Sequence, residues 1–129
     1  MPNAILEYSS NLAAEADIPR LVKTLGARFR QSGDVFPVGG VRIRAIGYDD
    51  YEVGDGSPDN GFVVLTCKIA VGRPEDVKKA FFDDVFELVK AHFAELFARR
   101  PLSLTLYIEE IPDGTSYKHN NLHKKTNLA

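Results

Sequence analysis

Hydrophobic positions along this chain follow strand and helix periods in the order strand, helix, strand, and then the same order again. Residues 2–8 open it as a strand, with Ile5 and Leu6 giving both faces apolar character. Proline is tolerated at position 2 because the first residue of a strand can lack an N–H without loss to the ladder. Ser9-Ser10-Asn11 breaks the pattern. Asp17 reads as a helix N-cap with Pro19 in the first turn. Ile18, Leu21, Val22, Leu25 and Phe29 then form one apolar stripe, and Ser32-Gly33 closes the helix. Lys23, Arg28 and Arg30 lie off the stripe and read as solvated charges. After a connection at 36–40, residues 41–48 alternate. Val41, Ile43 and Ala45 share one face, and Arg42, Arg44, Ile46 and Tyr48 share the other.

A polar run at 49–61, with Asp55-Gly56 and Asn60-Gly61 as turn signals, predicts a long hairpin or flap with a short strand at 51–53. Residues 62–71 are apolar on both faces, as a central strand requires. Arg73-Pro74-Glu75-Asp76 opens a second helix that the pattern carries to Arg100, a length of roughly 40 Å at 1.5 Å per residue. Its apolar side is broad, including Val77, Phe81, Phe82, Val85, Phe86 and Val89, which reads as core. Leu102, Leu104, Leu106 and Ile108 then alternate with Ser103, Thr105, Tyr107 and Glu109. Pro112-Asp113-Gly114 turns the chain into a polar tail.

Crossovers of this kind make the strands of each unit parallel. The prediction is an α/β (α+β) two-layer sandwich: two strand–helix–strand units with both helices on one face of a mixed sheet. Residues 1–129 form one domain, divided at 1–48, 49–61, 62–111 and 112–129. The other sheet face, with Arg42, Arg44, Ser103, Thr105 and Tyr107, stays uncovered, and an open face on a small domain predicts oligomerisation.

Composition narrows the function. A net charge of −2 gives no support to nucleic-acid binding. The single cysteine, Cys67, excludes an internal disulfide framework. No stretch approaches the ~20 apolar residues of a membrane span, and no secretory signal opens the chain, so a cytoplasmic protein is expected. His92, His119 and His123 lack a metal-ligand spacing, and Gly54-Asp55-Gly56 lacks the strand and helix context of a nucleotide site. Cys67, within a buried strand, reads as an inert small hydrophobe.

The chemistry-bearing candidates are Pro2, Arg42, Arg44 and Arg73. Removal of Met1 would leave Pro2 with a free secondary amine, of a class that titrates near pH ~8. Burial and neighbouring cations favour its neutral form, a usable general base. Retention of Met1 would convert it to an amide, which cannot act so. Arginines suit bidentate grip of carboxylates, so the four residues together point to an acidic substrate.

Several segments in register carry a resemblance over nearly the whole chain: Met-Pro at 1–2 with Glu-Tyr-Ser at 7–9, Glu15 to Pro19, Phe36 to Arg44, Lys68 to Arg73, Ile108-Glu109-Glu110, and Tyr117 to His123. They resemble the tautomerase superfamily, most closely its 5-carboxymethyl-2-hydroxymuconate isomerase family. The resemblance implies a cofactor-free keto–enol isomerase in homoprotocatechuate breakdown, built as a homotrimer with active sites at subunit interfaces. It implies Pro2 as general acid–base, Arg42, Arg44 and Arg73 as binders of a small carboxylated substrate, and the Asn120-Asn121 tail packed near a neighbouring subunit. Ala45-Ile46-Gly47-Tyr48 and the 51–61 loop depart from the family pattern, which bears on substrate fit. Two rival readings keep the fold: a trimeric binding protein with a blocked proline, and a tautomerase for another 2-keto acid.

Overall fold

A computed structural model describes residues 1–122. Its elements are β1 (Asn3–Ser9), α1 (Ala13–Ala16), α2 (Ile18–Arg30), β2 (Arg42–Tyr48), β3 (Gly61–Ala70), α3 (Glu75–His92), α4 (Ala94–Arg99) and β4 (Leu102–Ile111). The four strands form one sheet in the order β2-β1-β3-β4. Each unit is internally parallel, β1 with β2 and β3 with β4, and the units join through antiparallel pairing of β1 with β3. The mixed sheet with helices on one side is the expected architecture.

Strand parity explains the core. Ala4 and Leu6 of β1 and Val63, Leu65, Cys67 and Ile69 of β3 are fully buried beneath the helices. From α2 they meet Ile18, Leu21, Leu25 and Phe29, four members of the expected stripe; the fifth, Val22, packs at its margin. Asp17 does cap α2, accepting from the Arg20 N–H at 3.3 Å. It takes a left-handed backbone (φ 46°), a conformation aspartate tolerates better than most residues. Arg28 is not simply solvated: it bridges to Asp84 of α3 and lies 4.5 Å from the Phe81 ring centre.

An aromatic cluster sits where the two helices meet. Phe29 of α2, Phe36 of the α2–β2 connection, and Phe81 and Phe82 of α3 pack with centroids 5.0 to 6.2 Å apart, mostly edge to face. That geometry aligns positive ring edges with negative faces.

Two expectations fail for physical reasons. The link between β2 and β3 is not a hairpin, because β1 lies between those strands and they cannot pair. No strand forms at 51–53. The loop folds on itself instead, with the Asn60 amide donating to the Val53 carbonyl and to Asp55 Oδ1, both at 2.9 Å. The side-chain amide of Asn11 and the guanidinium of Arg100 hold its end, donating to the carbonyls of Asn60 and Asp59 at 2.9 and 3.0 Å. The second helix, expected unbroken to Arg100, is interrupted at Phe93 (φ −97°, ψ 6°). A straight helix of ~40 Å would overrun strands of about 33 Å. Across the interruption both Phe93 and Leu96 stay in the core while Phe97 turns outward, 58% exposed. His92, beside the bend, places Nε2 2.5 Å from the Ala16 carbonyl and so ties the helix end to α1.

Phe81 touches three other rings and is nearly inaccessible. Truncation to alanine is expected to lower unfolding free energy by about 3–5 kcal/mol. Urea denaturation at matched protein concentration checks this; a loss below 1 kcal/mol would show that the cluster is not the keystone of the helix layer.

Candidate active site

The register of β1 assembles the site. Asn3 pairs with Arg42 of β2 on one side and with Lys68 of β3 on the other, so these three side chains leave the open sheet face in one row. The next row along is Arg44, Ile5 and Thr66. The amino terminus enters at the first row. Pro2 is buried, and its carbonyl accepts from the Arg42 N–H at 3.1 Å. Met1 is present, so the Pro2 nitrogen is an amide and the free amine belongs to Met1. A Cβ on Gly40 would stand 2.6 Å from the Met1 nitrogen, so the close passage of the terminus needs a glycine there.

Around this terminus lies a cleft of about 570 Å³. Its walls include Met1, Asn3, Pro37, Arg42, Lys68 and Arg73, and the tail segment from Thr115 to Asn120 lines it as well. No aspartate or glutamate is among the lining residues. The charged side chains lining the cleft are therefore all cationic, although the chain as a whole is slightly acidic.

Each arginine is held differently. Arg42 donates from its guanidinium to the Gly40 carbonyl at 2.9 Å. Arg73 follows Gly72, whose φ of 116° suits only glycine and swings the chain off the end of β3. Its guanidinium donates to the Val35 carbonyl at 2.8 Å and the Ala70 carbonyl at 2.9 Å. It also lies 4.3 Å from the centre of the Phe36 ring, a cation–π contact. The aromatic cluster that fastens the helix layer thus supports one wall of the cleft. Burial pushes the Arg73 pKa down, with partial compensation from Glu110. Arg44 does not line the cleft; it reaches from the second row to donate to Asn3 Oδ1.

Of the four residues singled out by the sequence, the structure therefore brings Arg42 and Arg73 to a cleft at the amino terminus and sets Arg44 behind Asn3. Sequence reasoning missed Lys68, Lys118 and His119 as cleft residues. Lys68 could have been found by parity, as a lone cation among Phe62, Val64 and Thr66 on the open face of β3. Nothing local marks Lys118 and His119, because a tail folding back is a tertiary event. Asn120 also lines the cleft, Asn121 is exposed, and His123 lies outside the described residues.

The electrostatics converge on the terminal amine. Its pKa falls below the ordinary 8.0, first through burial and then through Lys118, Arg42 and Arg73. Both influences favour the neutral form of this amine, which in the structure is that of Met1. Cys67 is no nucleophile here, since burial pushes its thiol up to about 12. Among the described residues, no group of three or more histidine, cysteine or acidic side chains could hold a metal ion. No described helix is long and apolar enough to cross a membrane.

Comparison with known proteins follows the same line. The model of the 5-carboxymethyl-2-hydroxymuconate isomerase family matches residues 2–126. The chain is 37% identical over 123 residues to a 5-carboxymethyl-2-hydroxymuconate Delta-isomerase of Escherichia coli, covering 95% of this chain and 97% of that one. A crystal structure of a 5-carboxymethyl-2-hydroxymuconate isomerase from Deinococcus radiodurans R1 superposes with TM-score 0.92 at 40% identity, covering 97% and 93% of the two chains. A second such structure, of a 5-carboxymethyl-2-hydroxymuconate delta-isomerase, gives TM-score 0.88 at 27% identity, covering 98% and 93%. With the family model spanning nearly the whole chain and relatives this similar at full coverage, the chain belongs to the 5-carboxymethyl-2-hydroxymuconate isomerase family, on the tautomerase fold.

Proposed function

We propose that the chain, once Met1 is removed, is a cofactor-independent isomerase of 5-carboxymethyl-2-hydroxymuconate or a similar carboxylated dienol. The observation that carries this reading is the amino terminus lying in a cleft lined by Arg42, Arg73 and further cations with no acid among them. Pro2 is the general acid–base. Its neutral secondary amine accepts the proton from the enol oxygen, electrons shift along the conjugated system, and the ammonium returns the proton to a distant carbon. The net reaction moves one proton, so no electron acceptor is required.

Negative charge grows on the former enol oxygen as the proton leaves. Arg42 and Arg73 would hold carboxylates and stabilise that dienolate, with little reorganisation because main-chain carbonyls already fix their guanidinium groups. Arg44 either adds to this field or keeps Asn3 in place. The open sheet face supports assembly into a homotrimer with sites at subunit interfaces: Ile46 is 49% and Tyr107 57% exposed, and Ile5 and Val64 lie between them. By family, the reaction belongs to bacterial breakdown of an aromatic acid, in the cytoplasm.

Replacing Pro2 by alanine, or blocking excision of Met1, is expected to lower kcat/KM for dienol ketonisation by about a hundredfold or more, followed by ultraviolet absorbance. Full activity with Met1 retained, verified by mass spectrometry of the assayed protein, would overturn Pro2 as the base.

The pH profile gives a second test. Only the unprotonated amine can accept the proton, so kcat/KM should rise with pH through the amine's pKa and level off above it. In the unprocessed chain the amine at this terminus, that of Met1, has its pKa lowered first by burial and then by Lys118, Arg42 and Arg73. The same cations would face the Pro2 amine left by excision, so its acid limb should be shifted to lower pH. Lys118 is the largest of these charge contributions at Met1. Substituting it with methionine removes a cation that opposes protonation, raises the amine pKa, and should move the acid limb to higher pH. An unmoved limb in K118M would show that the tail lysine does not act on the base.

A further inference from the structure

We propose that Lys68 is a specificity-determining residue that binds a third carboxylate of the substrate, and so separates tricarboxylate from dicarboxylate dienols. The proposal deepens the isomerase reading and rests on it.

Lys68 stands in the same row as Arg42, with Asn3 between them. Two strand spacings put the Arg42 and Lys68 backbones about 10 Å apart on one face of the sheet. Both side chains line the cleft at the amino terminus. The arginines there are each tethered to main-chain carbonyls, Arg42 to Gly40 and Arg73 to Val35 and Ala70. Neither these arginines nor Lys68 form an ion pair with any described residue, but Lys68 differs in also making no side-chain hydrogen bond among the described residues. Its cross-strand neighbour is Glu109, yet the two stay apart, while the adjacent Glu110 is taken by Lys78 of α3. An ordinary strand lysine opposite a glutamate would be expected to pair with it. This one instead stays unpaired with Glu109 and lines a cleft that has no acid among its lining residues.

The chemistry of the family's named substrate supplies the ligand. A muconate has a carboxylate at each end, and the carboxymethyl arm adds a third on a flexible methylene. Two arginines, planar and bidentate, suit the two carboxylates conjugated with the reacting system. A lysine is a compact point charge on a flexible stem, able to follow an arm whose orientation is not fixed by conjugation. Lys118 is the other lysine lining the cleft, but it lies on the exposed tail rather than on a strand. Lys68 is held by the sheet on both sides.

Steady-state kinetics on wild type, K68M and K68R test this, with 5-carboxymethyl-2-hydroxymuconate and 2-hydroxymuconate, which lacks the arm, as substrates. The selectivity ratio of kcat/KM, tricarboxylate over dicarboxylate, should fall about tenfold or more in K68M, as expected for loss of one charge-assisted contact. The fall should come mainly from KM of the tricarboxylate, and K68R should recover most of it. An unchanged ratio in K68M overturns the proposal. So does restoration of the ratio in K68M with E109Q, which would trace the loss to an unneutralised Glu109.

Calorimetry with tricarballylate and glutarate, which do not react, separates this proposal from the isomerase reading. Wild type inactive on both dienols but preferring tricarballylate through Lys68 would overturn the reaction and uphold the residue. Active enzyme whose preference for tricarballylate survives in K68M would uphold the reaction and overturn the residue.

Discussion

The pairing register of β1 is the constraint from which the site follows. This strand joins the two strand–helix–strand units, being parallel to β2 and antiparallel to β3. Because side chains alternate, a slip of one residue would move Ala4 and Leu6 from the core to the open face and carry Asn3 into the helix layer. Two fully buried apolar side chains oppose that slip, at ~1.5–3 kcal/mol for one the size of leucine. The core register and the alignment of the amino terminus with Arg42 and Lys68 are therefore a single choice.

Around that row the fold concentrates like charges, which has to be offset elsewhere. Arg42, Lys68, Arg73, Lys118 and the terminal amine share one cleft. The amine of Met1 feels both the loss of hydration and the neighbouring cations: its pKa is lowered, first by burial and then by Lys118, Arg42 and Arg73. The aromatic cluster answers part of the cost, since Phe36 presents its face to Arg73 while its other contacts fasten α2 to α3. Packing of the helix layer and placement of a cleft cation are physically one arrangement.

Much of this was legible from local pattern, and the failures have a common origin. The α2 stripe, the Asp17 cap, the alternation of β2 and β4 and the arginines on the open face all depend on residues close in sequence. Of the hairpin or flap expected for the 49–61 link, the hairpin fails: adjacent strands in a sequence commonly pair, whereas here β1 takes the inner position. The continuous helix was misread because periodicity does not know the length of the sheet it must cover, and the interruption at Phe93 falls within an unbroken apolar pattern. Lys68 was passed over because β3 read as apolar on both faces, although its parity put it on the open one.

By itself the sequence determined the order of elements, the apolar face of each, and the residue types able to grip a carboxylate or donate a proton. Those follow from periodicity and from side-chain chemistry, which travel with the chain. Tertiary structure alone decided that Asn3 stands between Arg42 and Lys68, that Arg44 sits a row behind, that Arg73 rests on Phe36, and that the tail brings Lys118 to the amine. Register, strand order and the return of the tail are set by long-range burial and pairing, which no local stretch of residues contains.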